Sequence, residues 1–453
     1  MTNLSGANLN NGSAVGSQSE GRDSPSNALA AIPKYQAYKD SGVAWLGELP
    51  RQWDAIKMKY LYRDTSVKNK ASETLLSVTQ TQGVVPREWV ENRMVMPSGN
   101  LASFKFIKKG DFAISLRSFE GGLEYCHHDG IISPAYTVLK AKHSLLCSGY
   151  YKYLFKSQAF ISELQTSVVG IREGKNISYE ELRYSLLPIP KPQEQFSIAN
   201  FLDQKTAQID EAIAIKEKQI TLLKERKQII IQKAITQGLD PNVPMKDSGV
   251  DWIGKTPVHW RVKRFKHFTE ILSGLSPENV SFTDVGVDYF KVDDLNDVDD
   301  LNRLAKSKWQ VAIKRKLTIY SSGLLLIPKR GGAIGTNKIA ITTTDSLFDT
   351  NVMGLKFDRR MVDIDFVSIF LKQRNLIDIA DTTTIPQINN KHINPLPIAL
   401  PPLVEQEEIV AHLHDKFNEI VEAINTLRSQ ISGLKEYKTT LINSAVTGKI
   451  KVA

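Results

Sequence analysis

Two stretches of this chain carry an apolar period that a long helix satisfies. In the first, apolar residues fall at Ile198, Leu202, Ile209, Ile213, Ile220, Leu223, Ile230 and Ala234. In the second they fall at Ile409, Leu413, Phe417, Ile420, Ile424, Leu427, Ile431, Leu434, Leu441 and Ala445. From Ile209 and Ile420 onward the steps alternate four and three once Lys216, Lys227 and Lys438 are included, which is the seam of a coiled coil. Pro192 and Pro402 stand where a proline can precede a helix without breaking it, and Gly238 and Gly448 where a helix can end. Each pattern runs for about 40 residues, or ~60 Å at a rise of ~1.5 Å per residue, which is far longer than a small globule is wide. The two helices are therefore expected to pack on each other, antiparallel, with one globule at each end of the rod and an approximate two-fold axis across it.

Elsewhere the pattern is shorter and mixed. Residues 75–78, 112–115, 324–327 and 338–342 read as strands, and 150–164 and 366–379 as helices, separated by Gly and Pro. The expected fold class is α+β: two globular α/β domains separated by two long helices in an antiparallel coiled coil with pseudo-two-fold symmetry. The expected divisions are a disordered leader over 1–33, rich in Ser, Gly and Asn; a first head over 34–191; a central helix over 192–240; a second head over 241–401; and a distal helix over 402–453.

The chain also repeats itself. Asp40-Ser41-Gly42-Val43-Ala44-Trp45-Leu46-Gly47 returns as Asp247-Ser248-Gly249-Val250-Asp251-Trp252-Ile253-Gly254, and Pro50 and Trp53 return as Pro257 and Trp260. Later, Glu194-Gln195 returns as Glu405-Gln406 at the start of each helix. Residues 64–170 and 270–380 show little similarity to each other. A solenoid would repeat throughout. A repeated frame carrying different heads suits a device that reads two different half-sites. The four tryptophans are expected to be packing residues.

Composition narrows the function classes. At 453 residues, with 42% hydrophobic and 24% charged residues, two or more soluble domains are expected. No apolar stretch suits a membrane span and no secretory pattern is visible, so a cytoplasmic location is expected. The net charge of +9 favours polyanions, nucleic acid first. Cys126, His127, His128, His143 and Cys147 lie close in sequence, but without a C-x-x-C knuckle they are not read as a zinc site.

With the doubled Asp-Ser-Gly-Val segment, its Trp, Gly, Pro and Trp followers, and the run Pro401-Pro402-Leu403-Val404-Glu405-Gln406 (looser in the first copy as Pro190-Lys191-Pro192-Gln193-Glu194-Gln195), the chain resembles the specificity subunit of type I restriction–modification systems over residues 35–450. The resemblance implies two target-recognition domains reading a split site in double-stranded DNA, and a coiled-coil spacer. It also implies two docked methyltransferase (modification) subunits that make an adenine-N6 methyltransferase, and restriction or translocase subunits that make an ATP-dependent endonuclease. S-adenosylmethionine, ATP and magnesium would belong to those partner chains, leaving this chain without cofactor, metal or catalytic residues.

The residues themselves offer little chemistry. Asn394-Pro395-Leu396-Pro397 lacks the second proline and the aromatic of an adenine methyltransferase loop and reads as a turn. The acidic run Asp293, Asp294, Asp297, Asp299 and Asp300 reads as a solvated loop, the E-x-K triplet at Glu225 lies on the first long helix, and with the one at Glu173 no catalytic set is completed. Gly331 to Lys338 has no G-K-[ST] ending, yet a glycine loop beside Lys329 and Arg330 suits a close approach to a DNA backbone.

Base reading needs Arg, Lys, Asn or Gln at groove edges, and affinity needs cations on phosphates. In the first head the candidates are Lys68, Lys70, Arg117, Arg172, Lys175 and Asn176. In the second they are Lys329, Arg330, Asn337, Lys338, Gln387, Asn389, Asn390 and Lys391. Arg117 and Arg330 hold similar places in the two copies, as do Asn176 and Gln387. Two other readings remain at this stage: a coiled-coil adaptor that does not read DNA, and a single-chain nuclease or methyltransferase.

Overall fold

The computed structural model describes residues 31–90, 101–115, 118–169, 176–296, 298, 302–313, 317–382 and 384–452. The leader, as far as residue 30, lies outside them. The chain divides into two compact units, one made of residues up to Lys216 together with Arg428–Ala453, the other of Glu217–Leu427. Each unit contains one α+β head and part of both long helices, which span Pro192–Gln237 and Leu403–Val446.

Many of the heptad positions are buried. Ile198, Leu202, Ile209 and Ile213 are buried, as are Ile409, Leu413, Ile420, Ile431, Leu441 and Ala445. The seam lysines cross to the opposite helix. In the first unit Lys216 Nζ donates to Gln430 Oε1 (2.8 Å) and Lys438 Nζ to Asp210 Oδ1 (2.7 Å). As one residue number rises the other falls, so these segments run antiparallel. In the second unit Lys227 Nζ lies 4.2 Å from the centre of the Phe417 ring, while Gly238, ten or so residues on, packs against the Glu405 carboxylate. The order is antiparallel there too. Long stems lie along the apolar seam while their charges reach a partner on the other helix, and polar seam positions of this kind specify register.

The repeated segment is a β-hairpin made twice. Tyr38–Asp40 pairs with Glu48–Pro50, and Met245–Asp247 with Lys255–Pro257. Asp40 Oδ1 accepts from Gly42 N (2.9 Å) and Asp247 Oδ1 from Gly249 N (2.8 Å). The loop closes with Gly47 N donating to Val43 O (3.0 Å) and Gly254 N to Val250 O (2.9 Å). The glycines sit at φ 77° and 59° in one copy and 71° and 67° in the other, so this turn selects glycine at both places. Trp45 packs edge-on against Phe160 and Trp252 against Phe370. Trp53 and Trp260 are wholly buried, each next to the glycine that ends a long helix: Gly448 lies against Pro50 and Trp53, Gly238 against Pro257 and Trp260.

The doubled Glu-Gln pair anchors each helix to its head. Gln195 and Gln406 are buried. Gln195 Oε1 accepts from Cys147 N (2.8 Å) and its Nε2 donates to Pro190 O (2.9 Å). Gln406 Oε1 accepts from Asp363 N (2.8 Å), and its Nε2 donates to Pro401 O (3.0 Å) and Met361 O (3.1 Å). Cys147 and Asp363 precede the helices Ser148–Leu154 and Ile364–Arg374. One amide thus satisfies backbone groups at two chain bends that would otherwise be buried unpaired. Glu194 accepts from the Tyr35 hydroxyl (2.7 Å), and Glu405 from Trp260 Nε1 (3.0 Å).

The heads differ in their sheets. The first has a four-stranded antiparallel sheet in the order Tyr62–Thr65, Thr137–Ala141, Phe112–Ile114, Glu124–Tyr125. The second has a five-stranded sheet in the order Thr269–Ser273, Val352–Phe357, Leu325–Pro328, Ala340–Thr342, Arg303–Leu304, beside a four-stranded one. Two expected helices are interrupted. The one expected over 150–164 breaks between Ser148–Leu154 and Gln158–Leu164, because Ser157 Oγ caps the second piece by accepting from Phe160 N (3.2 Å) and donates to Leu154 O (2.7 Å). The one expected over 366–379 ends at Arg374, where Asn375 turns to φ 64°.

Replacing Gln195 or Gln406 with Ala is expected to destabilise its unit by about 1–3 kcal/mol through unpaired buried groups, read as a lower urea midpoint, with the larger loss at Gln406. In the first head, Glu124 is wholly enclosed beside Lys156 (2.7 Å), and burial pushes its carboxyl from 4.5 up to about 7. The folded head then holds a proton that the unfolded chain releases, so this group's contribution to stability falls as pH rises from about 4.5 to about 7. Glu124→Gln is expected to flatten that part of the stability–pH profile, measured by urea unfolding.

Candidate nucleic-acid interface

In the second head a strand of the main sheet, Leu325–Pro328, delivers Lys329 and Arg330 to its end. Gly331, at φ 87°, then opens the one-turn helix Gly332–Gly335. This turn is sewn to a second loop by backbone hydrogen bonds. Ile388 N donates to Lys329 O (2.8 Å), Gly331 N to Pro386 O (2.9 Å), and Arg330 and Gln387 form an antiparallel bridge. Gln387 also exchanges both backbone bonds with Asp381 (2.9 Å each). The loop then runs into the one-turn helix Asn390–Ile393.

The side chains of Arg330, Gln387, Asn390 and Lys391 are exposed on this surface, and Lys329 and Lys338 are half-buried. A Cβ added to Gly331, Gly332 or Gly335 would meet no atom within 4 Å, so packing does not demand these glycines, although the backbone of Gly331, at φ 87°, does. What they leave is a bare backbone ridge beside two cations, a shape that admits a phosphate chain closely. Lys391 Nζ lies 2.7 Å from Asp381, and its hydrogen bond, with burial opposing and His392 assisting, holds the Asp381 carboxyl below its ordinary range. Both partners are exposed, so the pair is weak and Lys391 can exchange carboxylate for phosphate.

Two of the eight candidates here are occupied by the fold itself. Asn337 Nδ2 donates to Lys372 O (2.7 Å) and its Oδ1 accepts from Leu376 N (3.0 Å), tying the glycine turn to the end of the helix Ile364–Arg374. Asn389 caps Asn390–Ile393, with its Oδ1 accepting from Lys391 N (3.1 Å) and its own N donating to His392 Nδ1 (3.0 Å). These two side chains position the loops; they do not stand free to meet a base.

The first head repeats the plan with other residues. Strand Phe112–Ile114 leads into the one-turn helix Ser118–Gly121, which lies beside the strand Asn176–Ile177. Asn176 pairs through its backbone with Val169. Arg117, Arg172 and Lys175 fall outside the described residues. Lys68 and Lys70 are exposed on a different loop, which turns at Asn69 (φ 61°). Lys70 lies 5.5 Å over the Phe106 ring and 3.8 Å from Glu73.

The structure adds a cationic and aromatic element in the second head. Ser307 is buried and its Oγ donates to Tyr289 O (2.7 Å), while Lys306, Lys308 and Trp309 around it are exposed. Lys291 Nζ lies 3.4 Å from the centre of the Trp309 ring and 5.0 Å from that of Phe282. The Lys-Ser-Lys-Trp string was the available signal, since basic residues interleaved with an aromatic suit nucleic acid.

The residues weighed for catalysis are placed apart or used by the fold. Asp294 is buried and accepts from Lys291 N (2.7 Å). Asp297, Asp299, Asp300 and Glu173 lie outside the described residues. Cys126 Sγ donates to His128 O (3.0 Å), and Cys147 precedes a helix. Among the described residues no three His, Cys, Asp or Glu side chains gather to hold a metal ion, and no helix is long and apolar enough to cross a membrane.

Residues 257–432 match the family model of the type I restriction modification DNA specificity domain. The chain is 23% identical over 362 residues to the type I restriction enzyme MjaVIII specificity subunit of Methanocaldococcus jannaschii, covering 76% of this chain and 80% of that one. It is 22% identical over 445 residues to the putative MjaX specificity subunit of the same organism, covering 90% and 96%. The solved HsdS subunit from Thermoanaerobacter tengcongensis shares the fold, with a TM-score of 0.58 at 16% identity over 89% of this chain and 98% of the other. Residues 257–432 thus match the specificity domain of type I restriction–modification systems, and most of the chain is similar to their specificity subunits.

The split between bonded and exposed candidates has a measurable consequence. Asn337→Ala and Asn389→Ala are expected to lower the urea midpoint by the equivalent of about 1–2 kcal/mol. Arg330→Ala and Gln387→Ala are expected to leave it unchanged within about 0.5 kcal/mol.

Proposed function

We propose that this chain is a specificity subunit, the DNA-reading chain of a type I restriction–modification complex. Its two heads recognise the two parts of a bipartite site in double-stranded DNA. The observation that carries this reading is the stitched pair of loops in the second head. They present Lys329, Arg330, Gln387, Asn390 and Lys391 around a bare glycine backbone, with Lys329 and Arg330 in the stretch that differs between the two copies. Arg330 and Gln387 are held side by side by main-chain bonds, and their side chains suit guanine and adenine edges in the major groove. The lysines serve the backbone.

The chain performs no catalysis in this proposal. It recruits two modification subunits to the equivalent frames of its two units, and restriction subunits through them. S-adenosylmethionine, ATP and magnesium are held by those partner chains, and the complex works in the cytoplasm. Adaptor function without DNA readout is disfavoured by the basic charge and by the unlike heads.

Co-expression with its methyltransferase subunit, followed by mapping of methylated adenines in the host genome, is expected to give a split motif with a constant gap. An unsplit motif, or no methylation, would overturn the proposal. Seven residues added to each long helix are expected to lengthen the gap and leave both half-motifs unchanged. Arg330→Ala is expected to relax one position of one half-motif, at a cost of about 1–3 kcal/mol in discrimination.

A further inference from the structure

Each head meets its helix through a strand pair whose first strand ends in a cation, Lys57 in one copy and Arg264 in the other. In the first unit Asp54–Lys57 pairs with Leu186–Ile189; in the second Arg261–Arg264 pairs with Pro397–Leu400. The chain then makes the same turn twice. Met58 N donates to Ser185 O (2.9 Å) and Lys59 N to Arg183 O (2.8 Å), just as Phe265 N donates to Leu396 O (3.0 Å) and Lys266 N to Asn394 O (3.1 Å). These bonds equate Lys57 with Arg264, Lys59 with Lys266 and Arg183 with Asn394.

The charge here exceeds what the fold uses. In the second unit Arg261, Arg264, Lys266 and His267 are exposed, and no acid occurs between Trp260 and Phe268. In the first unit Lys59 Nζ lies 4.8 Å over the ring of Tyr184 and 5.1 Å over that of Tyr60, with Lys57 5.9 Å over Tyr184. Both tyrosines are about half exposed, at 47% and 56%. Arg183 stacks on Tyr184 at 5.1 Å and pairs with Glu180. Like charges held close on a short turn repel one another; Glu180 offsets Arg183 in the first unit, whereas the Arg261–His267 stretch of the second carries no acid. Two cations stand at matched places in both units, Lys57 with Lys59 and Arg264 with Lys266, while Asp54 takes the place of Arg261 and Asn394 that of Arg183; the matched pair points to an anionic partner that both units meet.

Position selects between possible partners. Lys59 and Lys266 bond to the residues that directly follow the one-turn helices Tyr179–Leu182 and Asn390–Ile393. The second of these carries Asn390 and Lys391 of the candidate reading surface. The basic turn is therefore continuous with that surface through one helical turn.

We propose that this turn is a phosphate clamp common to both heads. Lys57, Lys59 and Arg183, and in the other unit Arg261, Arg264 and Lys266, hold the backbone of the DNA duplex while the unlike loops read bases. The proposal rests on the DNA-reading function above and assigns to that function residues that carry affinity without specificity.

The test uses the full chain assembled with its methyltransferase subunits. Binding to a duplex carrying the mapped motif and to an unrelated duplex of equal length is measured by fluorescence anisotropy between 50 and 200 mM salt. The variants are Lys57→Gln/Lys59→Gln/Arg183→Gln and Arg261→Gln/Arg264→Gln/Lys266→Gln. Each is expected to weaken binding to both duplexes by a similar factor, roughly ten-fold or more. Each is also expected to make the log–log salt slope shallower by about two to three and to leave the methylated motif unchanged. Lys57→Arg/Lys59→Arg is expected to bind as the parent does.

An unchanged salt slope overturns the clamp, and so does a loss confined to the duplex with the motif. So does loss of the methyltransferase subunits while the chain alone still binds DNA normally, which would make the turn a protein-docking surface. Failure of the reading itself shows separately, as a parent complex that does not distinguish the two duplexes. The slope on the unrelated duplex still reports the clamp in that case.

Discussion

The seam between the two long helices is the constraint on which both units are built. Neither head is completed by one helix alone. In the first unit Trp53 and Pro50 pack on Gly448 at the end of the second helix, while Tyr35 and Cys147 bond to Glu194 and Gln195 at the start of the first. In the second, Trp260 touches Gly238 at the end of the first helix and bonds to Glu405 at the start of the second. Each head thus grips the end of one helix and the beginning of the other, which only antiparallel segments can supply. A seam of apolar residues alone would tolerate slippage; Lys216, Lys227 and Lys438, each reaching one partner across it, oppose that.

The repeat has a physical meaning at each of its positions. Aspartate, serine and glycines close a hairpin loop, tryptophan fills the junction with a helix end, and a buried glutamine satisfies main-chain groups at two bends. None of these groups is left to face a substrate. A frame whose turn and amide groups bond largely within itself can be copied beneath different heads. The sheets above it differ in strand number and order, and the reading loops are attached to those sheets. Separation of frame from head lets the head vary while its attachment stays the same.

Affinity and specificity are also divided. The basic turns belong to the repeated frame, whereas Arg330, Gln387 and the glycine ridge belong to the second head. In the proposed arrangement a frame that holds phosphates would present any sequence to the loops, and the loops would decide which sequence stays. Phosphate contacts carry no base information, so a cation pair repeated in both units, Lys57 with Lys59 and Arg264 with Lys266, would cost nothing in discrimination.

Much of this was open to the sequence alone. The two helices were legible because a heptad seam is a local period that repeats over many turns, and the hairpin was legible because the same turn chemistry was written twice. The class of each head was legible from short β-branched runs between glycines and prolines. The fate of individual polar side chains was not. Asn337 and Asn389 have the composition of base readers, yet one bonds to Lys372 and Leu376, more than thirty residues away, and the other caps its own short helix. The helix expected over 150–164 broke because Ser157 found cap partners, and because Lys156 beside it reaches a buried Glu124 from another strand. The Lys57 and Arg264 turns stayed hidden because their neighbours, Arg183 and Asn394, arrive from more than a hundred residues further along the chain. Periodicity and turn chemistry act between residues near in sequence, so the sequence by itself determined the helices, the hairpins and the doubling. Which polar groups are consumed and which are left for a partner depends on what distant strands bring beside them, and only the tertiary structure decided that.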